Sequence, residues 1–336
     1  MQAVIMAGGE GTRLRSVTGG TPKPMALLAG RPILERILAL LGANGVREAC
    51  ITLRYRPEVI QDFFGSGESL GVKISYHIEQ TPLGTAGGVK ACEDFWQGRD
   101  FLVISGDCAC DFNLKALMEA HRRHRPAVTM ALYPQDSPLS FGTVVTDRLG
   151  RVVSFFEKPD WQHVVTNFVN TGIYCVSPAA MEAVPADRPF DFSKDLFPLL
   201  MERGMELRGL PMQGYWCDIG TPRAYHRCNL DALDGRLRVL PPIETEAAAA
   251  ADCAKPVFGS NVVSLRCRSR AAVMGALSQH LAEAGADFSD GIRLQSGAEQ
   301  VHICPDSASE AVFIDATSPA LAEKYRRLAK KLADER

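Results

Sequence analysis

Residues Met6–Met25, MAGGEGTRLRSVTGGTPKPM, follow the short apolar run Gln2-Ala3-Val4-Ile5 and decide how the chain is read. The run predicts a buried first strand, and the stretch behind it packs three glycines, a Thr-Arg pair and Pro-Lys-Pro into one connection. Gly8, Gly9 and Gly11 permit a tight backbone whose N–H groups can face a single anion. Arg13 and Lys23 add a cation at each end of that loop. A polyphosphate asks for this set: donors at close range, a fork for its oxygens and a point charge. Two commoner phosphate motifs are excluded. A P-loop closes on Gly-Lys-Ser/Thr, whereas Gly11 is followed by Thr12-Arg13. A dinucleotide fingerprint needs a third glycine where Leu14 stands. A glycine-rich surface turn would account for Gly-Gly-Glu-Gly alone. It does not account for Thr12-Arg13-Leu14 and Pro22-Lys23-Pro24 in register behind it.

Outward from this loop, apolar strands alternate with helical patterns. Ile33, Ile37, Leu40 and Leu41 recur at helical spacing until Gly42 and Gly45. Ala49–Leu53 and Val72–Ile78 read as strands on either side of a helix over Pro57–Phe64, and Phe101–Ser105 reads as a central strand. The pattern predicts a mainly parallel sheet covered by helices, with ligands at the carboxyl ends of its strands. Asp107 falls at such an end, badly placed for packing and well placed for a cation. Its bland alternative is a cap for the helix starting near Asn113, a task open equally to Asp111 or Asn113. A helix is expected from about Ala86 to Phe95, opened by Pro82-Leu83-Gly84-Thr85, and a strand pair over 141–145 and 151–156. Asp191 or Ser193 is the expected cap of the next apolar helix, and Thr221-Pro222 opens the one that closes the domain. That leaves Asp218 without a capping task.

The 336 residues carry a net charge of −2, which gives no bulk attraction to nucleic acid or an anionic membrane, so any phosphate binding must be local. No apolar run reaches the length needed to span a bilayer and no leader pattern precedes the first strand, so a cytoplasmic protein is expected. Ten scattered cysteines read as buried thiols, and Cys108-x-Cys110 has no second pair to complete a zinc site. The basic run His121-Arg122-Arg123-His124-Arg125 reads as a solvated helix face.

The loop resembles the nucleotide-binding signature of the sugar-1-phosphate nucleotidylyltransferases, GGxGTRLxPLTxxxPKP, with Ser16-Val17 standing where that family has Pro-Leu. Pro82–Gly87 resembles its base-recognition loop, and Glu157-Lys158-Pro159 with Asn170-Thr171-Gly172 resembles its sugar-phosphate half. Trp216-Cys217-Asp218-Ile219-Gly220-Thr221-Pro222 matches its W-x-D-I-G-T-P throughout. Within the family the mannose-1-phosphate guanylyltransferases are most similar. The resemblance implies a Rossmann-like α/β catalytic domain over 1–233 that joins an NTP to a sugar 1-phosphate and releases pyrophosphate. It implies a catalytic set of Arg13, Lys23, Asp107 and Asp218, with Mg²⁺ held by the two aspartates. Ala7, Gly8, Gly9, Gly11, Thr12, Glu79, Pro82, Gly84 and Thr85 would bind the nucleotide. Gly142, Glu157, Lys158, Asn170 and Thr171 would bind the sugar phosphate. GTP is favoured because a carboxylate at Glu79 only accepts hydrogen bonds, and guanine offers N1–H beside an amino group. Heptose or glucose 1-phosphate, UTP, CTP or dTTP, and a silent regulatory subunit stay open, as does a homo-oligomer.

Residues 234–256 read as a linker and 257–336 as a small α+β domain. Its expected order is helix (Ala271–Ala284), three strands, and a helix behind Ser318-Pro319. That order resembles the last domain of the phosphomannomutase/phosphoglucomutase family, and the preference for mannose 1-phosphate draws on the likeness to fused mannose-activating proteins. The loop Cys304–Glu310 lacks the arginine and glycine of that family's phosphate loop and adds Asp306, which would repel a phosphate. Mutase activity is not expected; a packing, dimerisation or vestigial module is. Val257–Asn261 could be one hexapeptide-repeat unit, but no repeat continues from it.

Overall fold

In the computed structural model, the structure describes residues 1–160, 162–186, 188–240, 262–266, 270–281, 284, 286, 292–296, 299–305 and 311–334. The greater part of the expected linker, the Val257–Asn261 unit and residues 306–310 of the Cys304–Glu310 loop lie outside them. The chain forms two compact units: Met1–Leu132 with Thr146–Val153 and Thr171–Lys255, and Tyr133–Val145 with Ser154–Asn170 and Pro256–Arg336.

The first unit is built on β1 (Ala3–Met6), followed by a short hairpin of β2 (Leu27–Leu28) and β3 (Arg31–Pro32). Strands β4 (Glu48–Leu53), β5 (Lys73–Ile78) and β6 (Phe101–Ser105) complete a parallel set in the order β6-β1-β4-β5. Ala3, Val4, Ile5, Ala49, Ile51, Leu53 and Phe101–Ile104 are all buried. A strand covered on both faces has to read as a continuous apolar run, which is why these segments lack alternation. Helices over Ile33–Ala43 and Pro57–Phe64 make the crossovers; Ile33, Leu34, Ile37, Leu38 and Leu41 of the first face the core. Then come β7 (Cys108–Cys110), β8 (Val128–Pro134), β9 (Gly142–Thr146), β10 (Val152–Glu157), β11 (Phe168–Val176), β12 (Leu207–Pro211) and β13 (Trp216–Asp218). β11 runs antiparallel to β6 through Ile173↔Ile104, and β12 pairs in parallel with β8. The sheet is therefore mixed and mainly parallel, as expected.

The helix expected over Ala86–Phe95 is two: Gly84–Lys90 and Glu93–Trp96. The ladder tightens at Cys92, whose N–H donates to the Val89 carbonyl at 3.1 Å while its thiol donates to Gly88 at 3.4 Å. A three-residue bond in place of a four-residue one ends the first helix. The caps are where the sequence puts them. Asn113 accepts from the Ala116 N–H, Asp191 from those of Ser193 and Lys194, and Thr221 from that of Ala224. The helix behind Asp191 opens with a π turn over Phe192–Leu196.

In the second unit Val169 pairs with Thr143. Near the C-terminus an antiparallel sheet of the order β14-β17-β16-β15 is formed by Val262–Arg266 (β14), Ile292–Ser296 (β15), Glu299–Pro305 (β16) and Ala311–Ala316 (β17). Helices Arg270–Leu281 and Pro319–Asp334 accompany it, and Val273, Met274, Leu277, Ile292, Ile303, Val312 and Ile314 form its core. The piece begins with a strand, which the expected order of helix, three strands and helix leaves out. Val262-Val263-Ser264-Leu265 carries β-branched residues, but paired on one side only it is too short to stand out from the alanine-rich stretch before it.

Candidate active site

The carboxyl ends of β1 and β6 lie side by side, with Met6 opposite Ser105, so the glycine loop and Asp107 leave the sheet together. Asp218 joins them through a second ladder: β13 pairs antiparallel with β7 in a register that sets Asp218 against Cys108, and Ile219 N–H donates to the Asp107 carbonyl. Asp111 secures the turn before β13 by accepting from the Tyr215 N–H at 2.7 Å and the Arg238 N–H at 3.1 Å. Asp111 is thus spent on structural bonds, as the sequence suggested, while Asp107 is left beside Lys23.

Lys23 is 7% exposed and its ammonium sits between the two aspartates, 2.6 Å from Asp107 Oδ2 and 3.5 Å from Asp218 Oδ1. Asp107 Oδ1 accepts the Ser105 hydroxyl at 2.8 Å. Burial alone would lower the Lys23 pKa, but the charges of Asp107 and Asp218 outweigh it and raise the pKa. Burial would likewise raise Asp107; the Lys23 ammonium and the Ser105 hydroxyl reverse that and hold the carboxyl below its ordinary value. Asp218 stays above its ordinary value, because burial and the Asp107 charge are only partly offset by the more distant ammonium and Arg13. Two carboxylates thus share one close cation, and the second is under-compensated.

A cleft of about 220 Å³ opens beside this trio, lined by Ala7, Gly9, Gly11, Thr12, Arg13, Lys23, Asp107 and Gly220 among others. Gly11 has φ +59°, and a Cβ there would lie 2.7 Å from Cβ of Lys23, so the lysine stem crosses the loop where only glycine leaves room. Gly220, within the Trp216–Pro222 motif, also lines the cleft. A Cβ on it would sit 2.9 Å from Asp218 Oδ2 and 3.4 Å from an Arg13 nitrogen, so it lets the carboxylate and guanidinium approach one another. The motif contained the signal, but only proximity to Arg13 gives it meaning.

The other expected residues have contacts of their own. Glu79 is buried, its carboxylate against Gly8 on one side and Gly88 on the other, with Oε2 accepting from the Leu83 N–H at 3.4 Å. Pro82, Gly84 and Thr85 are exposed. The Thr85 hydroxyl donates to Asp191 Oδ2 at 2.8 Å. Thr171 is buried and its hydroxyl donates to the Ala131 carbonyl at 2.8 Å, while its own carbonyl accepts the Trp216 indole N–H. In the second unit a Cβ on Gly142 would meet Phe155 at 2.5 Å and Glu157 Oε2 at 2.8 Å, so Gly142 and Glu157 are adjacent. Lys158 has φ +49° and donates its N–H to Phe141.

The donors gathered at the trio are oxygens of two carboxylates. Among the described residues no three His, Cys, Asp or Glu side chains form a cage. That set fits a hard divalent cation which keeps waters and takes its remaining ligands from substrate phosphates.

A family model described as nucleotidyl transferase matches residues 2–235. The chain belongs to that family. It is 34% identical over 236 residues to a mannose-1-phosphate guanylyltransferase of Mycobacterium tuberculosis, covering 70% of this chain and 65% of that protein. It is also 34% identical over 238 residues to a UTP--glucose-1-phosphate uridylyltransferase of Synechocystis, covering 67% and 61%. The chain thus spans less than two thirds of these curated relatives. The crystal structure of HddC from Yersinia pseudotuberculosis complexed with GMP-PN superposes with a TM-score of 0.59 at 30% identity, covering 68% of this chain and 97% of that one. In this nucleotidyl transferase, the matched residues contain the cleft, the trio and the loops around them. No helix among the described residues is long and apolar enough to cross a membrane.

Proposed function

We propose that this chain transfers a nucleotidyl group from an NTP to a sugar 1-phosphate, releasing pyrophosphate, with GTP and mannose 1-phosphate as the preferred pair. The observation that carries the proposal is the Lys23 ammonium held between Asp107 and Asp218 beside a cleft walled by the glycine loop and Arg13. The reaction brings two anions together, so catalysis is mainly positioning and neutralisation.

In this reading the amides of Gly8–Gly11, with Ala7 and Thr12, hold the triphosphate, and Arg13 steadies the two phosphates that depart. Lys23 neutralises the α-phosphate and Lys158 the sugar phosphate. A sugar phosphate oxygen attacks the α-phosphorus, the bond to the bridging oxygen breaks, and that oxygen leaves on pyrophosphate. No general base is needed, since the attacking phosphate is already ionised near neutral pH. Asp107 and Asp218 would hold a divalent cation, taken as Mg²⁺, which supplies charge neutralisation at the phosphates. Glu157 and Asn170 meet sugar hydroxyls, with Gly142 beside Glu157, and Thr171 joins them in binding the sugar phosphate. Glu79, Pro82 and Gly84 frame the base, and Thr85 serves the same loop. GTP is supported by the acceptor-only Glu79 carboxylate and by the similarity to a structure that carries GMP-PN.

We take residues 1–233 as the catalytic domain, 234–256 as a linker and 257–336 as a packing or dimerisation module, in a cytoplasmic protein. Pyrophosphate release measured for GTP, UTP, CTP and dTTP against mannose, glucose and heptose 1-phosphates tests the reading, with Asp107→Ala as control. Turnover is expected to be fastest with GTP and mannose 1-phosphate and abolished in the control. Absence of turnover with every pair, or undiminished turnover in the control, overturns it.

A further inference from the structure

The segment Phe190–Phe192 has no part in the function above, yet it makes most of the contacts of the loop expected to meet the nucleobase. The Phe190 N–H donates to the Leu83 carbonyl at 2.9 Å, and the Phe190 carbonyl accepts from Ala86 and Gly87 at 2.9 and 3.0 Å. The Thr85 hydroxyl donates to Asp191 Oδ2 at 2.8 Å and accepts from the Phe192 N–H at 2.9 Å. Asp191 Oδ1 meanwhile accepts from Ser193 and Lys194, so one carboxylate caps the following helix and holds the loop. A Cβ on Gly84, where φ is +71°, would lie 2.7 Å from the Phe190 oxygen, and one on Gly87 would lie 3.0 Å from the Arg188 oxygen. These two glycines therefore admit the chain's own backbone. The Ala86 and Gly87 amides are consumed by Phe190, and the Thr85 hydroxyl has spent its one proton on Asp191 while accepting from Phe192.

We propose that Asp191 and Thr85 are a coupled pair of positioning residues, which set the nucleobase loop through each other without Thr85 binding the nucleotide through its hydroxyl. Pro82, Gly84 and Thr85 remain exposed and give the loop a face for the base, while the pair fixes where that face stands. The cleft beside Lys23 is walled by other residues, so phosphate binding is independent of the pair. The inference rests on the nucleotidyl transfer reading for its ligand.

The test compares equilibrium binding of GTP and of inorganic tripolyphosphate by calorimetry in wild type, Thr85→Val, Thr85→Ser, Asp191→Ala and the Thr85→Val/Asp191→Ala double variant. Each single variant is expected to weaken GTP about 5–10-fold, the scale of one or two exposed hydrogen bonds lost. The double variant should be no weaker than the singles, Thr85→Ser should bind like wild type, and tripolyphosphate affinity should be unchanged throughout. An Asp191→Ala variant with wild-type GTP affinity, or a double variant whose losses multiply, overturns the coupling. A parallel loss of tripolyphosphate affinity reduces the pair to general support of the fold and also overturns it. A wild type that binds tripolyphosphate and no nucleotide overturns the nucleotidyl transfer reading itself, and the pair's role falls with it.

Discussion

Two glycine-rich loops stand on the first unit, and Gly9 in one serves a different purpose from the glycines of the other. In the first, a Cβ on Gly9 would meet nothing within 4 Å, and Gly9 lines the cleft beside Lys23 and Asp107. In the second, Gly84, Gly87 and Gly88 are each pressed by protein: the Phe190 backbone, the Arg188 carbonyl and the Glu79 carboxylate. Gly8 and Gly11 of the first loop are pressed by Glu79 and Lys23, but Gly9 leaves open space beside the cleft, whereas the second loop's glycines are all filled by the chain. A glycine in a motif therefore signals a close approach without saying what approaches.

The contrast can be broken by substitution. The largest effect is expected at the open loop's chemistry. Lys23→Met leaves Asp107 and Asp218 facing one another and should lower kcat about 10³-fold, or ~4 kcal/mol of barrier, in a pyrophosphate-release assay. A variant within tenfold of wild type would remove Lys23 from the chemistry. Next comes the closed loop. Gly84→Ala forces a left-handed alanine against a backbone oxygen, a cost of about 3 kcal/mol, which lowers Tm by about 6–12 °C. Gly9→Ala, with open space around it, should leave Tm within about 1 °C while weakening GTP severalfold. Equal melting of the two variants would erase the distinction between the loops.

The smallest effect belongs to Glu79, which touches both loops. Burial holds its carboxyl above the ordinary 4.5, against the opposing pull of the Leu83 N–H. A raised folded pKa means the native state favours the protonated form. Its stability contribution is full below about pH 4.5 and is lost as pH rises through the folded value. Glu79→Gln should accordingly raise Tm at pH 7, with the gain vanishing below about pH 4.5. A gain that is the same at both pH values would assign the effect to something other than ionisation. Lower GTP selectivity in the same variant would link Glu79 to the base.

The parallel strands were legible in the sequence because burial on both faces leaves an unbroken apolar run, as in Phe101–Ser105. The caps at Asn113, Asp191 and Thr221 were legible because capping is a local bond between near neighbours. Asp107 and Asp218 were read as partners only through family likeness; their proximity is a product of the β7–β13 register, which no local pattern reports. The Thr85–Asp191 bond joins residues more than a hundred positions apart, and each looked complete without the other. Strand β14 escaped notice because a single edge strand beside a biased stretch has too few residues for its alternation to stand out.

The β7–β13 ladder also bears on how the protein is made. The Lys23–Asp107 pair is electrically neutral and is available once the chain up to β6 and Asp107 has come together. Asp218 reaches it only after a loop of about a hundred residues has been closed, an entropic step that grows slowly with length but must precede any reward from the contact. A chain interrupted between Asp107 and Trp216 would therefore carry the glycine loop and its lysine yet lack the second carboxylate. The meeting of the two carboxylates about Lys23 is in this sense a late event of folding.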